Sequence, residues 1–128
     1  MMVNQQHDYD SAVLLAKRAL EAGDTEEADY YVQRALSVSP YRLDVHQVSA
    51  QIAALTENSS MAVREFEVLV TLDRNDPVEA RTNLAEAYMN NGQAQEAKRN
   101  ILTALEIAPS YQRAQQVLLK AVDSVNEQ

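Results

Sequence analysis

Apolar residues fall at helical spacing in successive segments of the chain, with polar residues between them. In three segments an alanine is followed by apolar residues four and seven positions later, starting from Ala28, Ala62 and Ala97. Positions i, i+4 and i+7 share one face of an α-helix, so each segment predicts an amphipathic helix. The alanines are 34 and 35 residues apart, which indicates an internal repeat.

A further amphipathic segment precedes each of these. Its pattern Leu15-Ala16 recurs at Leu84-Ala85, and more weakly at Ser49-Ala50. Antiparallel helices approach closely where both present small side chains. We therefore expect buried helix crossings that pair the following alanines: Ala16 with Ala28, Ala50 with Ala62, and Ala85 with Ala97.

Turn residues divide the chain at regular intervals. Gly23 and Gly92 fall between the helices of the first and third units, where glycine can adopt the left-handed conformation that ends a helix. Pro40 and Pro109 close the same units, because proline cannot continue a helix. The pattern predicts helices near 9–22, 25–38, 43–56, 60–73, 77–90, 94–107 and 111–125.

Two helix starts carry capping signals. Asp24 and Asp76 each precede a glutamate by three residues, and Pro77 stands at a first helical position. The residue usage agrees with an all-α fold, since the chain has only two glycines and three prolines and lacks β-branched runs between turns.

Charge and composition exclude several classes of protein. The chain has no cysteine, which removes disulfides and thiol chemistry. A net charge of −8 without a Lys/Arg cluster disfavours binding to nucleic acid or to an anionic membrane. No apolar run approaches the roughly 18 residues of a membrane span. The polar start, residues 1–8, has no signal-peptide core, which favours a soluble, cytoplasmic protein.

Residues for catalysis or metal binding do not cluster. Neither His7 nor His46 has a second histidine three or four positions away, and His46 is expected to be a packing residue. Glycines only at 23 and 92 exclude a glycine-rich phosphate loop. We predict no enzymatic activity, no metal and no cofactor.

The third repeat carries the signature of a known family. Its characteristic stretches are Asn83-Leu-Ala-Glu-Ala-Tyr88, Asn91-Gly92, Glu96-Ala97, Ala104-Leu-Glu-Ile107 and Pro109. They resemble the tetratricopeptide repeat (TPR). The resemblance implies a right-handed α-α superhelix of three helix pairs plus a C-terminal capping helix. A length of 128 residues predicts a single domain over 1–128. The resemblance covers about residues 9–111, with repeats at about 9–42, 43–77 and 78–111, and a closing helix follows at about 111–125.

The middle repeat departs most from the family pattern. Asn58-Ser59-Ser60 replaces the glycine turn, and Arg74 stands where proline is usual. Elsewhere Arg81 and Ala19 replace aromatic residues of the pattern. We expect the turn at 57–60 to differ in shape from the two glycine turns.

The resemblance also implies a function, the binding of a peptide segment or partner protein in a concave groove. The matching groove positions are Val13, Lys17, Leu20, Gln47, Gln51, Ala54, Thr82, Glu86 and Met89, with Gln116 and Lys120 added by the closing helix. Amide side chains can hydrogen-bond an extended backbone, and methionine adapts to varied apolar side chains. These features predict a neutral or mildly basic segment with one or two apolar anchors.

Members of the family that hold the acidic tails of chaperones use basic and amide side chains at five positions. The matching residues here are Val13, Lys17, Val48, Glu79 and Asn83. Only Lys17 has the required charge, and Glu79 would repel the ligand. We predict that the chain does not bind such tails.

Two alternatives remain open at this stage. The chain could be a structural domain that forms homo-oligomers or docks within a larger protein. It could also be a repeat region attached to an enzyme, since residues 97–115 show a faint similarity to the terminal repeats of bacterial zinc-peptidase-like proteins.

Overall fold

A computed structural model describes residues 5–127, which form seven α-helices and no strand. The helices are α1 (Gln5–Glu21), α2 (Thr25–Val38), α3 (Leu43–Leu55), α4 (Ser59–Leu72), α5 (Pro77–Asn90), α6 (Ala94–Ile107) and α7 (Gln112–Asn126). The all-α class and the seven predicted helices are confirmed.

Helix α1 begins earlier than the periodicity indicated. It starts at Gln5, so His7 lies exposed on its first turns rather than in an irregular start. Gln6 Nε2 donates a hydrogen bond to Asp10 Oδ1 at 2.9 Å, an i,i+4 contact that supports a polar helical turn. Residues 1–4 of the polar start lie outside the described part of the chain.

The helices divide into two compact units. The first unit ends at Asn58 and contains α1–α3; the second begins at Ser59 and contains α4–α7. In the first unit α1, α2 and α3 all pack against one another. In the second unit α5 packs against α4, α6 and α7, and α6 also packs against α7. The single domain over 1–128 stays a prediction.

Small residues lie buried in both units, as the repeat indicated. Ala16 and Ala28 are 0% exposed in the first unit, and Ala85 and Ala97 are 0% exposed in the second. In the second unit these two alanines belong to a core cluster with Ile101, Ala104, Ala114, Val117 and Ala121. A larger side chain at such a position would force close-packed helices apart.

The predicted burial of the middle alanine pair is half right. Ala50 is buried on α3, but Ala62 on α4 is only partly buried. Val63 is the buried residue at this point of α4. Leu69, seven residues after Ala62 on the predicted face, is buried as well, so the prediction fails at Ala62 and not along the whole face.

The expectation of a different middle turn is wrong. Glu57 has φ +54°, in the same left-handed region as Gly23 at +80° and Gly92 at +75°. The Asn58 amide donates to the Ala53 carbonyl at 2.9 Å, as the Asp24 amide donates to the Ala19 carbonyl in the first turn. The hydrogen bonds that close the helix require one left-handed residue, and Glu57 adopts that conformation without glycine's freedom.

Side chains also bind the backbone at the proline exits. His46 Nε2 donates to the Pro40 carbonyl at 2.6 Å, and Gln115 Nε2 donates to the Pro109 carbonyl at 2.8 Å. His46 is 8% exposed, which confirms its expected role as a packing residue. The donors are 69 residues apart, the same shift that relates the two prolines.

The predicted capping residues act as expected. Asp24 accepts a hydrogen bond from the Glu27 amide, and Asp76 accepts one from the Glu79 amide, each at 3.0 Å. Each bond satisfies an amide in the first turn that has no partner within the helix. The Asp76 cap fixes the start of α5, the helix on which most of the candidate site lies.

Candidate interaction surface

The first unit presents most of its predicted groove positions to solvent. Lys17, Gln47, Gln51 and Ala54 are exposed, and Leu20 is half-buried. Val13 is only 4% exposed and belongs to the core of the unit. Its side chain packs within the unit, away from the exposed positions of the predicted set.

The second unit also presents all but one of its predicted positions. Gln116 and Lys120 are exposed on α7, and Glu86 and Met89 are half-buried on α5. Thr82 is 0% exposed, and its Oγ1 donates to the Val78 carbonyl at 2.7 Å. Like Val13, Thr82 is therefore a core residue, because its helix turns this position inward.

A depression of about 210 Å³ lies between α5 and α7. Its lining residues are Glu86, Met89, Asn90, Val117 and Lys120. The sequence predicted three of them; Asn90 and Val117 were missed. Helical spacing would have identified both residues as neighbours of predicted ones, since Asn90 lies one turn after Glu86 and Val117 lies three residues before Lys120. We call this depression the α5–α7 pocket.

Arg113 on α7 joins the two helices beside this pocket. Its Nη1 donates to Glu79 Oε1 at 2.6 Å, and its Nη2 donates to Asn83 Oδ1 at 2.6 Å. Its Nε lies 3.1 Å from Glu86 Oε1, and its Nη2 lies 3.0 Å from Glu86 Oε2. The planar guanidinium matches the i, i+4, i+7 row of acceptors on α5.

Local electrostatics keep Arg113 charged. Burial, the largest single influence, lowers the pKa of Arg113, but hydrogen bonds to Glu86 and Tyr111 and the charges of Glu86 and Glu79 raise it overall. The Tyr111 hydroxyl also donates to Glu79 Oε2, and this bond raises the pKa of Tyr111. The role of Arg113 could not be predicted from the sequence, because an arginine among polar residues gives no periodic signal.

The Arg113 network changes the charge that α5 presents. Glu79 and Asn83, two of the positions that match a tail-binding site in the family, are engaged by α7. Glu86 is held through both of its oxygens. The glutamates therefore face an internal cation.

The first unit has a different polar connection, between α1 and α3. The Tyr9 hydroxyl donates to Asp44 Oδ1, and Tyr9 is 1% exposed. Burial raises the pKa of Tyr9, and the hydrogen bond to Asp44 raises it further. The Arg42 guanidinium lies 4.6 Å from the centre of the Tyr9 ring, and its Nη1 donates to Gln6 Oε1 at 2.6 Å.

Residues 5–127 also bear on metal binding and on membrane insertion. This part of the chain has no group of three or more His, Asp or Glu side chains placed to hold a metal ion. None of its helices is long and apolar enough to cross a membrane.

Comparison with known proteins supports the repeat assignment. A family model for the tetratricopeptide repeat matches residues 78–111. No curated protein matches the sequence. The similarity to zinc-peptidase-like proteins is not borne out. The family model that matches is a TPR model, and the similar solved structures include TPR domains.

Solved structures share the fold at low sequence identity. The first TPR of Spaghetti (RPAP3), bound to the HSP90 peptide SRMEEVD, has a TM-score of 0.78 at 18% identity over 97% of both chains. The second TPR domain of human RPAP3, in complex with the HSP70 peptide SGPTIEEVD, has a TM-score of 0.76 at 18% identity, over 92% of this chain and 98% of that one.

A third similar structure is much longer than this chain. The Thermobaculum terrenum O-GlcNAc transferase has a TM-score of 0.70 at 21% identity, over 95% of this chain and 23% of the transferase. The common feature of the three comparisons is the helical repeat. The protein carries a tetratricopeptide repeat at residues 78–111 and has the fold of TPR domains.

Proposed function

We propose that this chain is a non-catalytic interaction module that binds a peptide segment of a partner protein, and that the α5–α7 pocket is a point of contact. The observation that carries the proposal is the composition of this pocket. Met89 and Val117 supply apolar surface, while Asn90 and Lys120 supply polar groups at the same depression.

The size of the pocket favours side chains over a small-molecule ligand. Sites for small molecules and cofactors commonly have volumes of about 300–1,000 Å³. The α5–α7 pocket, at about 210 Å³, is smaller and suits one or two anchoring side chains of a longer segment. The similar RPAP3 domains were solved with peptides, which supports the same class of ligand.

Further contacts are proposed within each unit. In the first unit, Lys17, Gln47 and Gln51 are exposed polar residues, with Leu20 and Ala54 as apolar neighbours in the predicted set. In the second unit, Gln116 is exposed on α7. Amides at these positions would hydrogen-bond the backbone of a segment without requiring a particular sequence.

We do not propose a clamp for a terminal carboxylate. Asn83 and Glu79, at two of the matching positions, already bind Arg113. Chaperone tails are accordingly expected not to be held through their C-terminal carboxylate.

Peptide display followed by calorimetry tests the proposed function. A library of random octapeptides is selected on the whole chain, and an enriched peptide is titrated into the wild type and into Met89→Gln. We expect the substitution to weaken binding about three- to tenfold, because it places an amide where an apolar anchor packs.

Met61→Gln is the matched control, since it makes the same change on α4, away from the pocket, and should leave binding unchanged. Failure to enrich any peptide, or equal losses in the two variants, would contradict the proposal. Light scattering of the free chain at several concentrations tests the alternative of self-association, which predicts a mass that rises with concentration.

A further inference from the structure

The two charged side chains of the α5–α7 pocket differ in how they are satisfied. Both oxygens of Glu86 face Arg113, at 3.1 Å from Nε and 3.0 Å from Nη2. Lys120 is exposed and makes no ion pair or hydrogen bond with any other residue in 5–127, including Asp123 one turn further along α7. The ammonium of Lys120 is therefore the charged group of the pocket that has no partner among residues 5–127.

The apolar part of the pocket is held firmly in place. Val117 is 4% exposed and belongs to the core cluster of the second unit, and Met89 packs against that cluster. An apolar side chain placed on this surface would bury area against a preformed wall rather than against a mobile loop. Such pre-organisation lowers the entropic cost of binding.

We propose that the α5–α7 pocket selects a segment of a partner polypeptide in which an aliphatic side chain lies next to an aspartate or glutamate. The aliphatic group packs on Met89 and Val117, and the side-chain carboxylate pairs with Lys120. Asn90 supplies an amide at the same rim. This inference rests on the proposed function, to which it adds the chemistry of the partner.

Arg113 sets this preference indirectly. Without its guanidinium, Glu79 and Glu86 would present uncompensated negative charge beside the pocket and would repel an acidic segment. With it, the two carboxylates and one guanidinium together carry a net charge of −1, and Lys120 brings the local sum to zero while its own ammonium has no partner among residues 5–127. The net charge of −8 on the whole chain favours a neutral or basic segment at long range, so local pairing and overall charge make opposite predictions.

Parallel peptide selections separate these predictions. Random octapeptides are displayed within a longer chain, so that they have no free terminus, and are selected on the wild type, on Lys120→Glu and on Lys98→Glu. The last variant makes the same charge reversal on α6 and serves as the matched control. We expect acidic-aliphatic pairs to be enriched on the wild type and on Lys98→Glu, and to be lost on Lys120→Glu.

Calorimetry with one enriched peptide then measures the size of the effect. Lys120→Gln should weaken binding about two- to fivefold, the range expected for a solvent-exposed ion pair. Replacing the peptide's acidic residue by its amide should have a similar effect in the wild type and little further effect in Lys120→Gln. Amidation of the peptide's C-terminus should change nothing.

The outcomes test the preference for an acidic-aliphatic segment separately from peptide binding itself. Enrichment of neutral or basic peptides, or an acidic preference that survives Lys120→Glu, overturns the inference and leaves peptide binding intact. Dependence on a free C-terminal carboxylate overturns the choice of a side-chain acid. An absence of any enrichment removes the proposed function and the inference with it.

Discussion

The two units of the chain use the same small residues for packing but different polar groups to join their helices. Each buries a pair of alanines completely, Ala16 with Ala28 in the first and Ala85 with Ala97 in the second. In each, a side chain also donates to the carbonyl of the exit proline. These shared features follow the repeat in the sequence.

The polar connections between helices span one repeat period, 35 residues in the first unit and 34 in the second, but use different residue types. In the first unit the buried ring of Tyr9 on α1 reaches Asp44 on α3. In the second, Arg113 on α7 reaches Glu79 and Glu86 on α5, and all three of these side chains are between 32% and 45% exposed. The first connection is part of a core, whereas the second lies beside an open pocket. The comparison indicates that the repeat specifies packing and leaves these interhelical positions free to vary.

The largest expected effect comes from enlarging a shared alanine. Ala97→Leu should lower the free energy of unfolding by about 1–3 kcal/mol, because the added side chain has no space at a close-packed helix face. The neighbouring Gln95 is exposed, and Gln95→Leu should change the stability by less than about 0.5 kcal/mol. Urea unfolding of both variants measures the difference; equal losses would show that packing is not what the repeat conserves.

Removal of the arginine in each polar connection tests how they differ. Arg113→Gln should cost about 1–2 kcal/mol, since it removes contacts to Glu79, Asn83 and Glu86, with solvent reducing the loss at these partly exposed groups. Arg42→Gln should cost about 0.5–1 kcal/mol, because Arg42 has one hydrogen bond to Gln6 and a ring contact with Tyr9. Denaturant midpoints compare the two, and a larger loss in Arg42→Gln would reverse the proposed ranking.

Substitutions at the left-handed turn residues should change the free energy of unfolding by a smaller amount, and in opposite directions at the two turns. Glu57→Gly should stabilise the chain by about 0.5–1 kcal/mol, because it relieves an unfavourable φ despite a more flexible unfolded state. Gly92→Ala should destabilise by about 1 kcal/mol, although an added Cβ would meet no atom within 4 Å. Thermal unfolding of the two variants checks the signs. If both destabilise equally, the shared turn conformation is not the cause.

The smallest effect is the alkaline titration of Tyr9. Because the pKa of Tyr9 is raised in the folded chain, its contribution to stability is complete below the ordinary tyrosine value of about 10 and is lost as pH rises through the folded value. Between pH 9 and 10.5 the wild type should lose up to about 1 kcal/mol more stability than Tyr9→Phe.

Tyr41→Phe controls for tyrosine ionisation in general, since Tyr41 is 81% exposed. It should retain the alkaline loss that Tyr9→Phe lacks. Parallel pH profiles of the wild type and Tyr9→Phe would indicate that another group causes any alkaline loss.

The sequence by itself determined the number of helices, most of their bounds, five of the six predicted buried alanines and the caps at Asp24 and Asp76. The helix bounds and caps depend on contacts between residues a few positions apart, so the 3.6-residue period and the identity of the cap residues suffice to predict them. The alanines were found because they recur at the repeat period. The same reasoning identified Glu86, Met89 and Lys120 of the pocket, through the family's register.

Tertiary structure decided which of the predicted positions are accessible and which side chains Glu79 and Glu86 pair with. Val13 and Thr82 match groove positions of the family pattern but lie in the core, because burial depends on how each helix is rotated against its neighbours. Glu57 shows the complementary case, in which backbone hydrogen bonds impose a conformation that the side chain disfavours. Arg113 lies 27 residues beyond Glu86 along the chain, and only the packing of α7 on α5 brings its guanidinium to that carboxylate.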